Sequence, residues 1–234
     1  MKYLIWDFDG TLGYREGGMW TLTLLEIIRQ AMPALDVTTD QLRGLLRGYP
    51  WHTPERPHPE LSTADAWWAA LDPLFTSALT GIGVPEPLIG GMIRAFRPAY
   101  TDLSRWRLFP DTLPALQQLS AGGWQHVVLT NHVPELPAIL DHLGLTPHVA
   151  ALFNSAQTGY EKPHPQAFRN VLDWAVAPEA VWMIGDNPKA DVAGAEAAGI
   201  PAILVRTSDP SVRYCCAELS EVMPIVQKVS TFSN

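Results

Sequence analysis

The sequence predicts an α/β protein with a doubly wound parallel sheet and a second, smaller helical domain. Short apolar runs that end in small or polar residues lie at 3–8, 126–130, 151–155, 181–185 and 201–205. Their apolar residues are continuous rather than alternating, as in parallel strands whose two faces are both covered. Helix-like segments follow these runs in the second half of the chain, and such alternation is typical of a doubly wound sheet.

The long segment between the first strand and Asp111 predicts the helical domain. It has no comparable apolar run, but it has helical stretches at 21–31 and 63–80. Its middle, 48–59, is too rich in proline for a helix and predicts an ordered loop. We therefore expect a helical segment that interrupts the α/β core.

The domain boundaries follow from this interruption. We expect residues 1–13 and 106–234 to form the α/β core and residues 14–105, called here the helical insert, to form the smaller domain. The two linkers are expected near Gly13 to Gly18 and near Ser104 to Pro110. Glycines in the first linker would allow the insert to move as a lid.

The composition excludes several classes of function. Hydrophobic residues make up 47% of the 234 residues, which is ample for a core, so intrinsic disorder is not expected. Lys and Arg number 16 against 24 Asp and Glu, a net charge of −8, and no basic run suits a nucleic acid backbone. A phosphate site would therefore need local positive charge from a metal, a lysine or helix N-termini.

Membrane and disulfide chemistry are also not expected. No apolar stretch is long enough to span a bilayer, and Asp7 lies too early for a signal peptide, which predicts a cytoplasmic protein with no membrane partner. The adjacent Cys215 and Cys216 cannot form an ordinary bridge with each other. We expect buried strand residues in a reducing compartment, within a stretch, 212–226, that predicts an edge strand and a short final helix.

The first motif that carries chemistry is Asp7-Phe8-Asp9-Gly10-Thr11, directly after the first apolar run. In a doubly wound sheet, ligands bind at the carboxyl ends of the strands, so both carboxylates would lie in that crevice. Two such carboxylates can share a hard cation, and Gly10 frees the backbone to turn sharply. An Asp-Gly turn without function is the alternative, but two acids at the end of a buried strand would be costly without partners.

Three further motifs follow strands or precede helices. Thr130 and Asn131 close the second apolar run, Lys162 precedes a helix that begins near Pro165, and Gly185-Asp186 with Asp191 follows the fourth run. Taken singly, each has an ordinary explanation: a Thr or Asp can cap a helix, and a loop Lys is usually solvated. Their positions relative to the first motif favour a shared site.

In this order the motifs resemble those of the haloacid dehalogenase superfamily. That family has Asp-x-Asp-x-Thr after the first strand, a Thr or Ser after a later strand, a Lys before a helix, and Gly-Asp followed by four residues and Asp. Four matches in the family's order make coincidence improbable. The resemblance covers roughly residues 1–13 and 106–206 and implies a Rossmann-like core with a helical cap inserted after the first motif.

The resemblance implies a magnesium-dependent phosphatase that hydrolyses a small phosphorylated metabolite through an aspartyl phosphate. Asp7 would be the nucleophile, while Asp9 would protonate the leaving oxygen and then activate water. Mg²⁺ would be held by Asp7, the backbone carbonyl of Asp9, and Asp186.

The remaining motif residues would bind the phosphoryl group or support the site. By the same resemblance, Thr130, Asn131 and Lys162 would hold phosphoryl oxygens. Asp191 would orient waters or Lys162, and Gly10 and Thr11 would support the first motif.

Two alternatives remain open at the level of chemistry. Dehalogenases and phosphonate hydrolases of the family usually lack the acid at position 9, so Asp9 favours a phosphatase. A phosphomutase keeps this acid and differs only in its product. A non-catalytic phosphate-binding relative would be expected to have lost Asp7, Asp9, Lys162 or Asp186, all of which are present.

The substrate is the least constrained prediction. The resemblance implies that the helical insert selects the leaving group, and His52, Arg56 and His58 in its proline-rich loop are candidates for contacting a second anionic or hydroxylated part of the substrate. Sugar phosphates, nucleoside monophosphates and phosphoglycolate all fit this description, and the sequence does not predict an oligomeric state.

Overall fold

The structure, a computed structural model, describes residues 1–48, 53–61 and 63–230. Its strands are β1 (Lys2–Trp6), β2 (Gly13–Arg15), β3 (Trp106–Leu108), β4 (Trp124–Thr130), β5 (Val149–Asn154), β6 (Ala180–Gly185), β7 (Ala202–Val205) and β8 (Cys215–Cys216). The helices are α1 (Trp20–Ala31), α2 (Thr39–Leu45), α3 (Ala64–Ala69), α4 (Asp72–Gly81), α5 (Glu86–Tyr100), α6 (Thr112–Ala121), α7 (Leu136–His142), α8 (Ser155–Thr158), α9 (Pro165–Ala175), α10 (Gly194–Ala197) and α11 (Val222–Ser230). A π-helical segment, Pro188–Ala193, runs directly into α10.

Within the described part of the chain, six strands form a parallel sheet in the order β5-β4-β1-β6-β7-β8. The first strand, β1, lies between β4 and β6. Leu4 and Trp6 belong to the hydrophobic core on one face, whereas Tyr3 and Ile5 belong to the core on the other. Both faces are covered, which explains the continuous apolar sequence of β1. The predicted doubly wound α/β fold is confirmed.

The predicted elements differ from the observed ones mainly at their ends. The strand β7 starts only after Pro201, whose nitrogen carries no hydrogen, although its carbonyl still accepts from the Met183 N–H at 2.9 Å. The helical stretch predicted at 63–80 is two helices, and Pro73 lies in the first turn of the second. The edge strand and final helix predicted within 212–226 are β8 and α11.

The two predicted linkers form an antiparallel ribbon. Strands β2 and β3 pair with Arg15 opposite Trp106. The buried Arg15 guanidinium donates to the carbonyls of Ala99 at 2.7 Å and Tyr100 at 3.0 Å, which caps the last turn of α5. The ribbon escaped sequence analysis because each strand has only three residues. Movement of the helical insert as a separate unit stays a prediction.

Aromatic side chains fill the interior of the helical insert. Trp20 stacks on Phe96 with ring centroids 5.1 Å apart, and Phe75 lies 4.6 Å from Phe96. Trp68 extends this cluster to the α/β core, because its Nε1 donates to the Glu135 carboxylate at 3.1 Å. Aromatic packing thus stabilises the insert, and one polar contact joins it to the segment that follows β4.

The two cysteines lie at the edge of the sheet, in β8. Both are free thiols; Cys216 is buried and Cys215 is half-buried. The described residues include no helix that combines the length and the apolar character needed to cross a membrane.

A buried histidine supports the central strand and generates a pH prediction. His126 accepts a hydrogen bond at Nδ1 from Trp6 Nε1 at 3.0 Å, and its Nε2 lies 2.9 Å from the Leu116 carbonyl oxygen. The neutral imidazole satisfies both contacts, whereas a second proton would oppose the Trp6 N–H. Burial is the main cause that lowers the pKa of His126 to about 4.

We expect the free energy of unfolding to fall as the pH is lowered from about 6.5 to 4, because the unfolded chain then binds a proton at position 126 that the folded protein excludes. A shift of this size contributes up to about 3 kcal/mol. Urea unfolding at several pH values checks this, with His126→Gln as the comparison. The variant should be less stable at pH 7 but show a shallower decline; an equal decline would contradict the assignment.

Candidate active site

The central strand places Asp7 at the edge of the sheet. Its N–H donates to the Ile184 carbonyl at 2.9 Å and continues the β1–β6 ladder, while its Oδ1 accepts from the Phe8 N–H at 2.7 Å. The chain then turns sharply, since the N–H groups of Leu12 and Gly13 both donate to the Phe8 carbonyl. Asp7 is only 9% exposed, so the strand presents a largely desolvated carboxylate.

Lys162 lies between two carboxylates. Its Nζ is 2.9 Å from Asp7 Oδ1 and 2.5 Å from Asp191 Oδ1, and its side chain is 1% exposed. Burial alone would lower the pKa of Lys162, but the charges of Asp191 and Asp7 outweigh burial and raise it. Lys162 is therefore a buried ammonium ion that partly neutralises Asp7.

Asn131 fixes the backbone of Lys162. Its Oδ1 accepts from the Lys162 N–H at 2.7 Å, and its Nδ2 donates to the Lys162 carbonyl at 2.9 Å. Because Asn131 directly follows β4, this clamp ties the lysine to the end of a second strand. The amide is engaged at both ends, so the predicted contact between Asn131 and a phosphoryl group stays a prediction.

Asp186 approaches the first motif because Gly10 has no side chain. A Cβ at Gly10 would overlap the Asp186 carboxylate, and Gly10 has a φ of +74° that favours glycine. Burial and, next, repulsion from Asp7 raise the pKa of Asp186 to about 6. The sharp turn after β1 therefore brings two carboxylates of different strands into mutual repulsion.

Asp191 supports Lys162 from below the site. It is fully buried; its Oδ1 contacts Lys162 and its Oδ2 accepts from the Asn187 N–H at 3.0 Å. A Cβ at Gly185 would overlap this carboxylate, so this glycine permits its close approach. Both oxygens of Asp191 thus have partners within the protein.

These acids fit a hard divalent cation such as Mg²⁺. Asp7, Asp186 and Asp191 each present a carboxylate oxygen, and these oxygens lie within 4.8 Å of one another. Asp191 is already engaged, which leaves Asp7 and Asp186 as the side chains able to bind a cation. An all-oxygen set with unrelieved repulsion suits a hard cation rather than a thiolate- or imidazole-binding metal.

Asp9 lies next to a histidine that sequence analysis did not identify. Asp9 Oδ2 is 3.5 Å from Nε2 of the buried His132. Burial, followed by repulsion from Asp7 and Asp186, raises the pKa of Asp9 well above its usual range. Burial also lowers the pKa of His132 to about 4, so the imidazole is neutral at physiological pH. A single histidine after a strand gives no sequence pattern that would have revealed this contact.

Two buried hydroxyl groups lie in the motif segments. Thr130 ends β4 and its Oγ1 has no hydrogen-bond partner among the described residues. Thr11 is fully buried, and its side chain opposes the rise in the pKa of Asp186. The Thr11 carbonyl accepts from Arg206 Nε at 2.9 Å, which anchors the turn to the end of β7. An unpaired buried hydroxyl at a strand end is a donor available to a ligand.

The acids open into a cleft of about 460 Å³. It is lined by Asp7, Asp9, Pro54, Asn131, Lys162, Pro163, Asp186, Asn187, Lys189 and Ala190. All but Pro54 belong to the α/β core, so the insert contributes one described residue to the wall. Sequence analysis assigned no role to Pro54 or Lys189.

The loop of the helical insert is placed differently from the prediction. His52 lies outside the described residues, and Arg56 is exposed and does not line the cleft. His58 is buried, with Nε2 3.8 Å from Glu161 Oε1, and its N–H donates to the Gly159 carbonyl at 2.8 Å. His58 is thus directed to Glu161 rather than to the cleft, because the loop docks where Gly159 lacks a side chain.

Comparison with protein families identifies one match. The sequence model of the haloacid dehalogenase-like hydrolase family matches residues 1–199. Two similar proteins are phosphoserine phosphatase of Thermus thermophilus, 33% identical over 159 residues, and ribulose-1,5-bisphosphate 5-phosphatase of Halopiger xanaduensis, 37% identical over 134 residues. The alignments cover 65% and 55% of this chain and 63% and 54% of those relatives, less than two thirds of either.

Solved structures share the fold over nearly the whole chain. The HAD-hydrolase YfnB of Bacillus subtilis, solved with bound magnesium, superposes with a TM-score of 0.67 at 18% identity. The superposition covers 97% of this chain and 98% of YfnB. At this identity the likeness establishes the fold of the core and of the helical insert together.

We expect Lys162→Met to lower the free energy of unfolding at pH 7 by about 3–5 kcal/mol, because Asp7 and Asp191 would lose their shared counter-ion. Adding Asp191→Asn should recover part of the loss, since one unpaired charge is removed. Urea unfolding in metal-free buffer measures both effects. Lys189→Met, at an exposed lysine of the same cleft, is the matched control and should change stability by less than about 0.5 kcal/mol. Wild-type stability of Lys162→Met would contradict the ion pair.

Proposed function

The chain belongs to the family of haloacid dehalogenase-like hydrolases, and on this premise we propose that it is a magnesium-dependent phosphatase of small phosphorylated molecules. One observation carries the proposal: a strand-end carboxylate, Asp7, is held 2.9 Å from the buried ammonium of Lys162, with the second acid Asp9 two residues later. A nucleophile, a fixed positive charge and an acid are the groups that phosphoryl transfer requires.

Asp7 is the proposed nucleophile. Its Oδ1 is occupied by the Phe8 N–H and Lys162, which fixes the carboxylate plane. The other oxygen attacks phosphorus in line with the departing oxygen, so the P–O bond to the leaving group breaks as an aspartyl phosphate forms. Lys162 and the unpaired Thr130 hydroxyl are placed to hold phosphoryl oxygens, and Lys162 offsets charge that the transfer brings into the site.

Asp9 is the proposed acid and base. Its raised pKa favours a protonated carboxyl near neutral pH, and this proton passes to the leaving oxygen as the first step proceeds. The resulting carboxylate then takes a proton from the water that attacks the aspartyl phosphate. Asp7 is thereby regenerated, free phosphate is released, and Asp9 is protonated for the next cycle.

Magnesium is the proposed cofactor. Asp7, Asp186 and the backbone carbonyl of Asp9 would hold it, and when bound it supplies positive charge that screens the phosphate from the carboxylates. Asp191 and Asn131 keep Lys162 in position, and Gly10 keeps Asp186 close to the first motif. A net charge of −8 makes such local positive charge necessary for an anionic substrate.

The proposed substrate class is a small phosphate monoester. The relatives named phosphoserine phosphatase and ribulose-1,5-bisphosphate 5-phosphatase support this class, and the cleft of about 460 Å³ is of a size for a metabolite. A screen of phosphorylated metabolites that measures free phosphate tests it. Release of inorganic phosphate supports a phosphatase, whereas an isomerised product without phosphate release would identify a phosphomutase.

The cation requirement gives the first prediction for this function. We expect p-nitrophenyl phosphate to be hydrolysed with Mg²⁺ and not in excess chelator, with recovery when Mg²⁺ is restored. Calorimetric titration provides an independent readout, in which Asp186→Asn should bind Mg²⁺ more weakly than the wild type because one carboxylate ligand is lost. Undiminished turnover in chelator would exclude the metal assignment.

The nucleophile gives the second prediction. We expect Asp7→Asn to abolish turnover while preserving the circular dichroism spectrum, because the amide is nearly isosteric but is a poor nucleophile. The side-chain oxygen of the asparagine can still accept from Lys162. If the variant keeps more than a small fraction of the wild-type rate under the same conditions, Asp7 is not the nucleophile.

A further inference from the structure

His132 lies directly behind the proposed acid. Its Nε2 is 3.5 Å from Asp9 Oδ2, and its side chain is 1% exposed. Two aromatic rings fix the imidazole: Phe8 meets it edge-on with centroids 5.6 Å apart, and Trp106 lies 5.1 Å away. The ring is thus held in a rigid aromatic setting with one nitrogen directed at Asp9.

The polar atoms of this pair have few other partners. His132 Nδ1 lies 3.4 Å from the Val133 carbonyl oxygen, while its Nε2 has no hydrogen-bond partner within the described residues. The Asp9 Oδ1 is likewise without one, and of the basic side chains described His132 alone lies within ion-pairing distance of Asp9. A buried polar nitrogen is costly unless it is used, so Asp9 is the group it serves.

Asp9 needs such a partner because its other neighbours repel it. Asp7 and Asp186 are both acidic, and the turn at Gly10 leaves the Asp9 side chain free to rotate away from them. Catalytic hydrogen bonds are often long without substrate and shorten in the complex. A contact of 3.5 Å on a rigid ring is suited to that change.

We propose that His132 is a positioning residue that holds the Asp9 carboxyl in the orientation from which it protonates the leaving-group oxygen. The inference rests on the proposed phosphatase function and adds to it a residue outside the four motifs. Trp106 begins the strand that returns from the helical insert, so the same contact connects the base of the insert to the acid.

The role predicts a dependence on the leaving group. The constant kcat/KM reports the steps through departure of the leaving group, and protonation matters most for a basic, alkyl oxygen. His132→Phe keeps an aromatic ring between Phe8 and Trp106 but removes both nitrogens. We expect its kcat/KM to fall about tenfold to a hundredfold for alkyl phosphates and less than about threefold for p-nitrophenyl phosphate.

The experiment measures kcat/KM for a series of aryl and alkyl phosphates. His132→Gln, which retains a side-chain N–H, should recover part of the loss and serves if His132→Phe fails to fold. His126→Gln, at another buried histidine away from the cleft, should keep the wild-type dependence on the leaving group. In an Asp9→Asn background, His132→Phe should have little further effect, because the group it positions no longer carries the proton.

A uniform loss across all leaving groups, or wild-type values in both His132 variants, would overturn the positioning role while leaving the phosphatase function intact. Additive losses in the Asp9→Asn background would overturn it as well. Absence of phosphate release by the wild-type protein would instead overturn the proposed function, and this inference with it.

Discussion

The buried ammonium of Lys162 is the interaction on which the site depends. It holds Asp7 from the end of β1 and Asp191 from the segment after β6, while Asn131 from the end of β4 clamps its backbone. One charge therefore ties together three neighbouring strand ends. A buried charge is tolerated only when it is paired, so the surrounding chain must be arranged to supply both carboxylates.

Two glycines make this arrangement sterically possible. Gly10 lets the first turn approach the Asp186 carboxylate, and Gly185 lets Asp191 reach Lys162 beneath it. The result is an excess of negative charge at one edge of the sheet, with raised pKa values at Asp9 and Asp186. That excess provides both the attraction for a hard cation and a proton held near neutral pH, so binding and acid chemistry share one electrostatic cause.

The sequence predicted the parts of the site that follow strands. Continuous apolar runs located the parallel strands, and a doubly wound sheet brings their carboxyl ends together, so Asp7, Lys162 and Asp186 could be assigned to one place before any distance was known. The β2–β3 ribbon was missed because three-residue strands carry no periodicity. His132 and the His58–Glu161 pair were missed because they depend on contacts between distant segments, which local patterns do not encode.

The central claim is that Asp7 accepts the phosphoryl group, and mass spectrometry of the quenched enzyme tests it most directly. Asp9→Asn enzyme, mixed with Mg²⁺ and p-nitrophenyl phosphate and quenched in acid, should accumulate the covalent intermediate because the base that activates water is absent. The account predicts that the peptide containing Asp7 gains the mass of one phosphoryl group. A phosphoryl group found on another residue, or turnover with no labelled peptide, would contradict it.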